Sequence, residues 1–191
     1  MLFNSISFLL FLPIVFILYW YVFQKNVKIQ NAFIVVVSYF FYACWDWRFL
    51  FLIAFCSGIS YFSGAAIEQA FSSKRKRLIL WICTALSLGL LAIFKYFNFF
   101  IDSFIELFAL FGIYLHPFSL KIILPVGISF YTFQSLSYAI DVYRGKIKAT
   151  KDIIAFFAFV SFFPQLVAGP IERATNFLPQ FFVKRNFDYV Q

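Results

Sequence analysis

Charged residues are scarce in this sequence. Only 13% of its 191 residues are Asp, Glu, Lys or Arg, whereas 63% are hydrophobic and 25% are aromatic. A soluble domain usually carries about 25% charged residues and about half apolar ones. The composition therefore excludes an ordinary water-soluble domain and predicts a protein whose main partner is the lipid bilayer.

Histidine and cysteine are equally scarce. The chain has a single histidine, His116, and three cysteines without paired spacing. Zinc sites need clusters of these residues, so we expect no metal site and no cofactor bound by protein residues. The sequence also lacks a P-loop, a nucleotide-binding glycine turn and a hydrolase nucleophile elbow. Because no carboxylate or nucleophile lies near His116, we interpret it as an interfacial residue.

Long apolar runs take up most of the chain. A spanning helix needs about 20 mostly apolar residues, and several runs reach or approach this length. We therefore predict an all-α fold, a single polytopic transmembrane helix bundle over residues 1–191. The first run follows no basic residue and precedes no cleavage site, which predicts a retained span instead of a signal peptide. The predicted spans are at about 5–23, 29–45, 48–67, 78–99 and 122–142.

The basic residues are grouped, and the formal net charge is +8. Ten of the sixteen Lys and Arg residues lie in three basic segments between apolar runs, at residues 24–30, 72–77 and 143–151. This grouping is typical of cytoplasmic loops and not of a nucleic-acid surface, so we expect an extracytoplasmic N-terminus. The apolar stretch 103–118 is then predicted to lie in the outer interface, because a crossing there would move residues 143–151 outside.

The last apolar run is too short to cross a bilayer. It extends from Ile153 to Phe163, and the eleven residues before Pro164 would cover about 16 Å of a roughly 30 Å hydrocarbon core. Gly169 and Pro170 then break regular helix close to Arg173. We predict a re-entrant segment at about 153–170 whose backbone is buried or lines a cavity. The alternative is a simple exit from the membrane.

A polar stripe follows the segment 124–145. Its members recur at spacings of four, three, four and three residues and so share one helix face; they are Gly127, Tyr131, Gln134, Tyr138 and Asp141. We expect this face to point into the bundle. Such a stripe can mark a path for substrate or ions, or it can hydrogen-bond neighbouring helices. Gln134 needs several partners in either case.

Three blocks of sequence resemble successive signature blocks of one family: FKYFNFF (94–100), LPVGISFYTFQSLSYAIDVYRG (124–145) and FFPQLVAGPIERA (162–174). They are similar to those of bacterial membrane-bound O-acyltransferases (MBOAT), and of the alginate O-acetyltransferase branch above all. The resemblance implies that this chain is the N-terminal portion of a larger helix bundle in the bacterial inner membrane. It also implies transfer of an acyl group, such as acetyl, to a cell-surface polysaccharide.

The resemblance has consequences for cofactors, partners and site residues. It implies an acyl donor such as acetyl-CoA or an acyl carrier. The implied partners are the remaining C-terminal helices of the same protein and other polysaccharide-modifying acyltransferases outside the cytoplasm. The family's catalytic histidine would lie beyond these residues, so we expect no catalytic residue in this chain. The implied tunnel-lining or substrate-contacting residues are Tyr131, Gln134, Gln165 and Arg173, beside a structural turn at Gly169 and Pro170.

Two other functions remain open from the sequence. Broken helices and polar stripes also build transport sites, so the chain could be part of a transporter or flippase, although it shows no internal repeat. It could also be a non-catalytic membrane scaffold.

Overall fold

The computed structural model describes residues 5–111, 125–170 and 172–185, with the side chains of residues 167 and 168 left out. Every regular element in these ranges is helical, which confirms the predicted all-α fold. α1 continues as a π-helical turn at Leu18–Val22, and α8 continues as a 3₁₀ turn at Leu178–Phe181. The helices are α1 (Ile6–Ile17), α2 (Val27–Ala43), α3 (Arg48–Gln69), α4 (Ser73–Leu110), α5 (Ile128–Tyr143), α6 (Ile153–Ser161), α7 (Phe163–Ala168) and α8 (Ala174–Phe177).

The outer surface of the bundle is apolar. α3 and α4 are long and apolar enough to cross a membrane, and only 33% and 17% of their most apolar stretches are buried. Large side chains such as Phe51, Phe62 and Trp81 are 71%, 66% and 61% exposed. The core helix of a soluble protein would instead be mostly buried. Together with the shorter apolar helices, these surfaces define a membrane helix bundle.

α4 differs from the prediction. One continuous helix of 38 residues extends from Ser73 to Leu110, where two separate helices at 78–99 and 103–118 were expected. No proline interrupts this stretch, and its one glycine is Gly89, so the backbone has no reason to break near residue 100. At 1.5 Å per residue the helix is about 57 Å long. The remainder of the expected second helix, with His116, lies outside the described residues, as do residues 122–124.

The best-enclosed part of the core lies between α3, α5 and α6. The side chains of Tyr131, Tyr138, Phe156 and Phe159 are all 0% exposed. α3 and α5 approach closely here, because a Cβ atom on Gly64 would lie 2.5 Å from Cε1 of Tyr138. The Tyr138 ring packs on Phe156 with 4.6 Å between centroids. This packing fixes the face of α5 that carries the polar stripe.

Contacts bring the three basic segments to one end of the bundle, which we call the basic end. The N–H of Ala149 donates to Oε2 of Glu68, at the end of α3, over 2.9 Å. α6 packs along α2, and Ile153 in its first turn lines the same surface cavity as Ala32 in the second turn of α2. The ends of α2, α3 and α5 that adjoin the basic segments therefore lie side by side.

The chain from residue 153 to 181, here called the returning segment, starts and finishes near this end. α6 follows α2 away from the basic end. After Gly169 the chain turns back, and the ring of Phe177 packs against that of Phe159 with centroids 5.8 Å apart. The carbonyl of Phe181 then accepts a hydrogen bond of 2.7 Å from Nδ2 of Asn31, near the start of α2.

Candidate functional site

The helix of the returning segment breaks at Phe162, whose ψ angle is 100°. Pro164 has no N–H to continue the hydrogen-bond ladder, and its ring would clash with the preceding turn. In an unbroken helix the N–H of Phe163 would donate to the carbonyl of Phe159. It donates instead to Oγ of Ser38 in α2 over 3.3 Å. The break therefore leaves the Phe159 carbonyl without its normal helical donor.

Gln134 supplies the missing donor. Its Nε2 lies 2.7 Å from the Phe159 carbonyl oxygen. Gln134 is 1% exposed and Ser38 is 0% exposed, so neither bond has water as a ready substitute. A buried backbone group without a partner is costly. Two side chains from different helices, α5 and α2, thus stabilise the two groups that the break releases.

Gln165 extends this network to the turn. Its Oε1 accepts from Nε2 of Gln134 over 3.3 Å, and its Nε2 donates to the carbonyl of Pro170 over 2.9 Å. Gly169 packs directly on the same residue, because a Cβ atom there would lie 2.8 Å from both Cα and Cγ of Gln165. The two buried amides and the Gly169–Pro170 turn therefore form one connected group.

Tyr131 lies one turn from Gln134 and is 0% exposed. Its hydroxyl and that of Tyr42 are buried without a hydrogen-bond partner among the described residues. Gly127, which has a φ angle of +77°, lies next to Tyr42: a Cβ atom there would be 3.3 Å from both the Tyr42 hydroxyl oxygen and the Leu166 carbonyl oxygen. Buried hydroxyls of this kind can hold water or a polar atom of a substrate.

The predicted interior position of the polar stripe is confirmed, since Tyr131, Gln134, Tyr138 and Asp141 are all buried. The structure brings Gln134 and Gln165 into contact and places Tyr131 beside them. Arg173 is exposed, and its carbonyl accepts the N–H of Asn176 at the start of α8 over 3.0 Å. Nothing in the described part of the chain joins its guanidinium to the glutamine pair.

Sequence reasoning missed a second polar cluster, at the basic end. The guanidinium of Arg185 donates to the Tyr19 hydroxyl over 2.9 Å, to Oε1 of Gln30 over 3.3 Å and to Oδ1 of Asn31 over 2.8 Å. Gln30 and Asn31 are each 1% exposed. The available signal was this pair of amides at the start of the predicted span 29–45, which we did not single out from the sequence.

The connection between α2 and α3 holds an ion pair. Nη2 of Arg48 lies 2.8 Å from Oδ2 of Asp46. The hydrogen bonds that the Arg48 side chain and backbone donate lower the pKa of the Asp46 carboxyl below its usual value. The pair lies at the end of α2 that is far from the basic segments, and it has no contact with the glutamine pair.

The fold and the site together define a class. This is an all-α membrane bundle in which a broken segment, enclosed by other helices, is stabilised by buried amide side chains. Non-helical backbone at membrane depth occurs where it is buried in protein or lines a cavity.

Comparison with known proteins narrows the class. The chain is 43% identical over 186 residues to a probable alginate O-acetylase of Pseudomonas aeruginosa, covering 95% of this chain and 34% of the relative. A probable alginate O-acetylase of Azotobacter vinelandii is 40% identical, with 95% and 36% covered. A peptidoglycan O-acetyltransferase of Helicobacter pylori is 33% identical, with 97% and 40% covered.

The resemblance that the three blocks predicted is thereby confirmed: nearly the whole chain is homologous to bacterial proteins of the alginate O-acetylase type. The chain spans little more than a third of the length of the curated relatives it matches. No protein-family model matches it. No solved structure matches it.

Proposed function

We propose that this chain is the N-terminal portion of a membrane-bound O-acyltransferase that O-acetylates a cell-surface polysaccharide. The observation that carries this proposal is the identity of 33–43% over at least 95% of the chain with proteins named as O-acetylases or an O-acetyltransferase. A transporter, a flippase or a passive scaffold is not favoured, because these relatives carry acetyltransferase names.

In the proposed topology the protein crosses the bacterial inner membrane several times. The three basic segments face the cytoplasm and the N-terminus lies outside. The returning segment is re-entrant: it starts at the cytoplasmic face, turns at Gly169 and Pro170, and returns. The contacts that bring the basic segments to one end of the bundle support this arrangement.

The chain would contribute walls and positioning to the reaction. Tyr131, Gln134 and Gln165 would line a tunnel beside the broken segment, and the exposed Arg173 would contact substrate. The acetyl group would leave a thioester donor such as acetyl-CoA or an acyl carrier and form an ester with a sugar hydroxyl. A general base would accept the hydroxyl proton and pass it to the departing thiolate of the donor. We assign that base, a histidine in the resembling family, to residues outside this chain. The further helices of the protein and extracytoplasmic acyltransferases would be its partners.

Deletion of the whole gene in its native host tests the activity. We expect loss of O-acetyl esters from a cell-surface polysaccharide, measured by NMR of the purified polymer, and recovery when the gene is restored. Restoration with Gln134→Leu should leave the ester content low, whereas Phe133→Leu, at the neighbouring 44% exposed position, should restore it. An ester content that deletion leaves unchanged in every surface polymer would refute the proposed activity.

Labelling of single cysteines in intact cells tests the topology separately. Cys44 is native and exposed, and it lies at the end of α2 proposed to face outward. A membrane-impermeant maleimide should modify Cys44, whereas a cysteine introduced by Lys148→Cys, in a variant without the native thiols, should react only after permeabilisation. Modification of residue 148 in intact cells would overturn the orientation.

A further inference from the structure

An apolar cavity of about 330 Å³ lies between α1, α2 and the break in the returning segment. It follows α1 from Leu12 to Trp20, a distance of about 12 Å along the helix. All eleven residues that line it are aliphatic, aromatic or proline. Leu12 and Phe16 are each 44% exposed, so the cavity opens on the outer, apolar surface of the bundle.

Arg185 lies at the end of this cavity nearest the basic end. Its guanidinium donates to the hydroxyl of Tyr19, which lines the cavity. Its Cζ also lies 5.0 Å from the centroid of the Phe181 ring. That ring is in turn 6.3 Å from the ring of Phe162, another lining residue. A positive charge and an apolar cavity are therefore adjacent.

The charge of Arg185 has no acidic partner in the described ranges. Its acceptors are neutral oxygens, on Tyr19, Gln30, Asn31 and the carbonyl of Gln180. These four bonds leave one of the five N–H groups of a guanidinium without an acceptor among the described residues. Lys25 precedes α2 and Lys28 lies in its first turn, so both fall between Tyr19 and Gln30 in the sequence and add positive charge at this end. An anion bound at this point would neutralise the positive charge of the cluster and accept a hydrogen bond from the remaining N–H group of Arg185.

We propose that this site binds one anionic phospholipid, with an acyl chain in the cavity and the phosphate at Arg185. The apolar opening between Leu12 and Phe16 gives access from the hydrocarbon layer. In the proposed topology, on which this step rests, the basic cluster lies at the level of the inner-leaflet headgroups, and basic residues at this level attract anionic lipids. A soluble anion would leave the cavity empty. This site is separate from the glutamine pair, and the proposal does not depend on acyl transfer.

Native mass spectrometry of the purified full-length protein tests whether lipid binding depends on the charge of the headgroup and on that of Arg185. The protein is titrated with phosphatidylglycerol and, separately, with phosphatidylcholine, and we expect phosphatidylglycerol to bind more tightly. Arg185→Gln should weaken its binding about fivefold, the effect of one basic residue near an anionic headgroup. Arg185→Lys should retain the preference because the charge remains. Arg75→Gln, which removes a charge from another basic segment, should bind like the wild type.

Substitutions at the exposed side of the cavity test its role without disturbing the hydrogen bonds of Arg185. Leu12→Trp fills the opening and should lower phosphatidylglycerol binding, whereas Leu9→Trp, at a 71% exposed position outside the cavity, should not. Equal binding of the two lipids by the wild type would overturn the proposal. An equal loss of phosphatidylglycerol binding in Arg75→Gln would also overturn it. So would a Leu12→Trp protein that is less thermally stable but has an unchanged lipid preference, because that result would mean that another protein segment occupies the cavity.

Discussion

α4 and the returning segment meet the membrane in opposite ways. α4 is 38 residues of unbroken helix, and its buried side chains are those of Cys83, Ser87 and Leu91. The returning segment breaks twice within about twenty residues, yet α6 alone buries six of its nine side chains. A regular helix satisfies its own backbone and can face lipid, whereas a broken one must be enclosed and supplied with partners.

The break therefore determines where hydrogen-bonding side chains are needed. Ser38 and Gln134 lie on separate helices, but each reaches one of the two groups that an unbroken helix would have paired with each other. Ser87 in α4 is equally buried but has no hydrogen-bond partner among the described residues.

The largest effect should come from Gly64→Ala, which forces apart the helices that enclose the returning segment. The new Cβ would lie 2.5 Å from Tyr138 Cε1, and the ring cannot move easily because its hydroxyl accepts the Thr150 N–H over 3.0 Å. We expect a loss of about 3 kcal/mol in the free energy of unfolding, measured in detergent. Gly58→Ala on the same helix meets nothing within 4 Å and should gain about 0.5–1 kcal/mol.

Gln134→Leu should have the next largest effect on stability, because it leaves the buried Phe159 carbonyl without a donor. The expected loss is about 2 kcal/mol, measured by thermal unfolding of the purified protein. Phe133→Leu, at the neighbouring exposed position of α5, should change stability far less. A Gln134→Leu protein as stable as the wild type would mean that the break does not need this donor.

Ser38→Ala and Ser87→Ala compare the two regions directly, since both serines are 0% exposed. Removal of the Ser38 hydroxyl leaves the Phe163 N–H without an acceptor and should lower the free energy of unfolding by about 1 kcal/mol. Removal of the Ser87 hydroxyl, which has no described partner, should be neutral or slightly stabilising. The same unfolding assay measures both, and equal effects would contradict the distinction.

The smallest effect should follow from Asp46→Asn, in the solvent-facing connection. Arg48 lowers the pKa of the Asp46 carboxyl, so the contribution of the pair to stability is complete above the usual pKa of 3.8. It is lost as the pH falls through the lower, folded-state value. Melting curves of the variant and the wild type should thus differ slightly at neutral pH and converge in acid. A difference in melting temperature that grows as the pH falls would contradict this expected direction.

The sequence allowed the break itself to be predicted, because Pro164 and the Gly169–Pro170 pair cannot continue a helix. The spacing from Tyr131 to Asp141 likewise predicted which face of α5 is buried. The partners were not predictable, because Ser38 is 125 residues from Phe163 and a serine in an apolar helix gives no indication of what it contacts. The charge pattern also said nothing about the length of α4, which depends on the absence of a helix breaker.

The long sequence separation at the break constrains how the molecule assembles. Until α2 and α5 have both packed around the break, the Phe163 amide and the Phe159 carbonyl lack the side chains of Ser38 and Gln134, and each unpaired group would cost several kcal/mol in an apolar environment. We therefore expect α6 and α7 to pack only after α2 and α5 are in place.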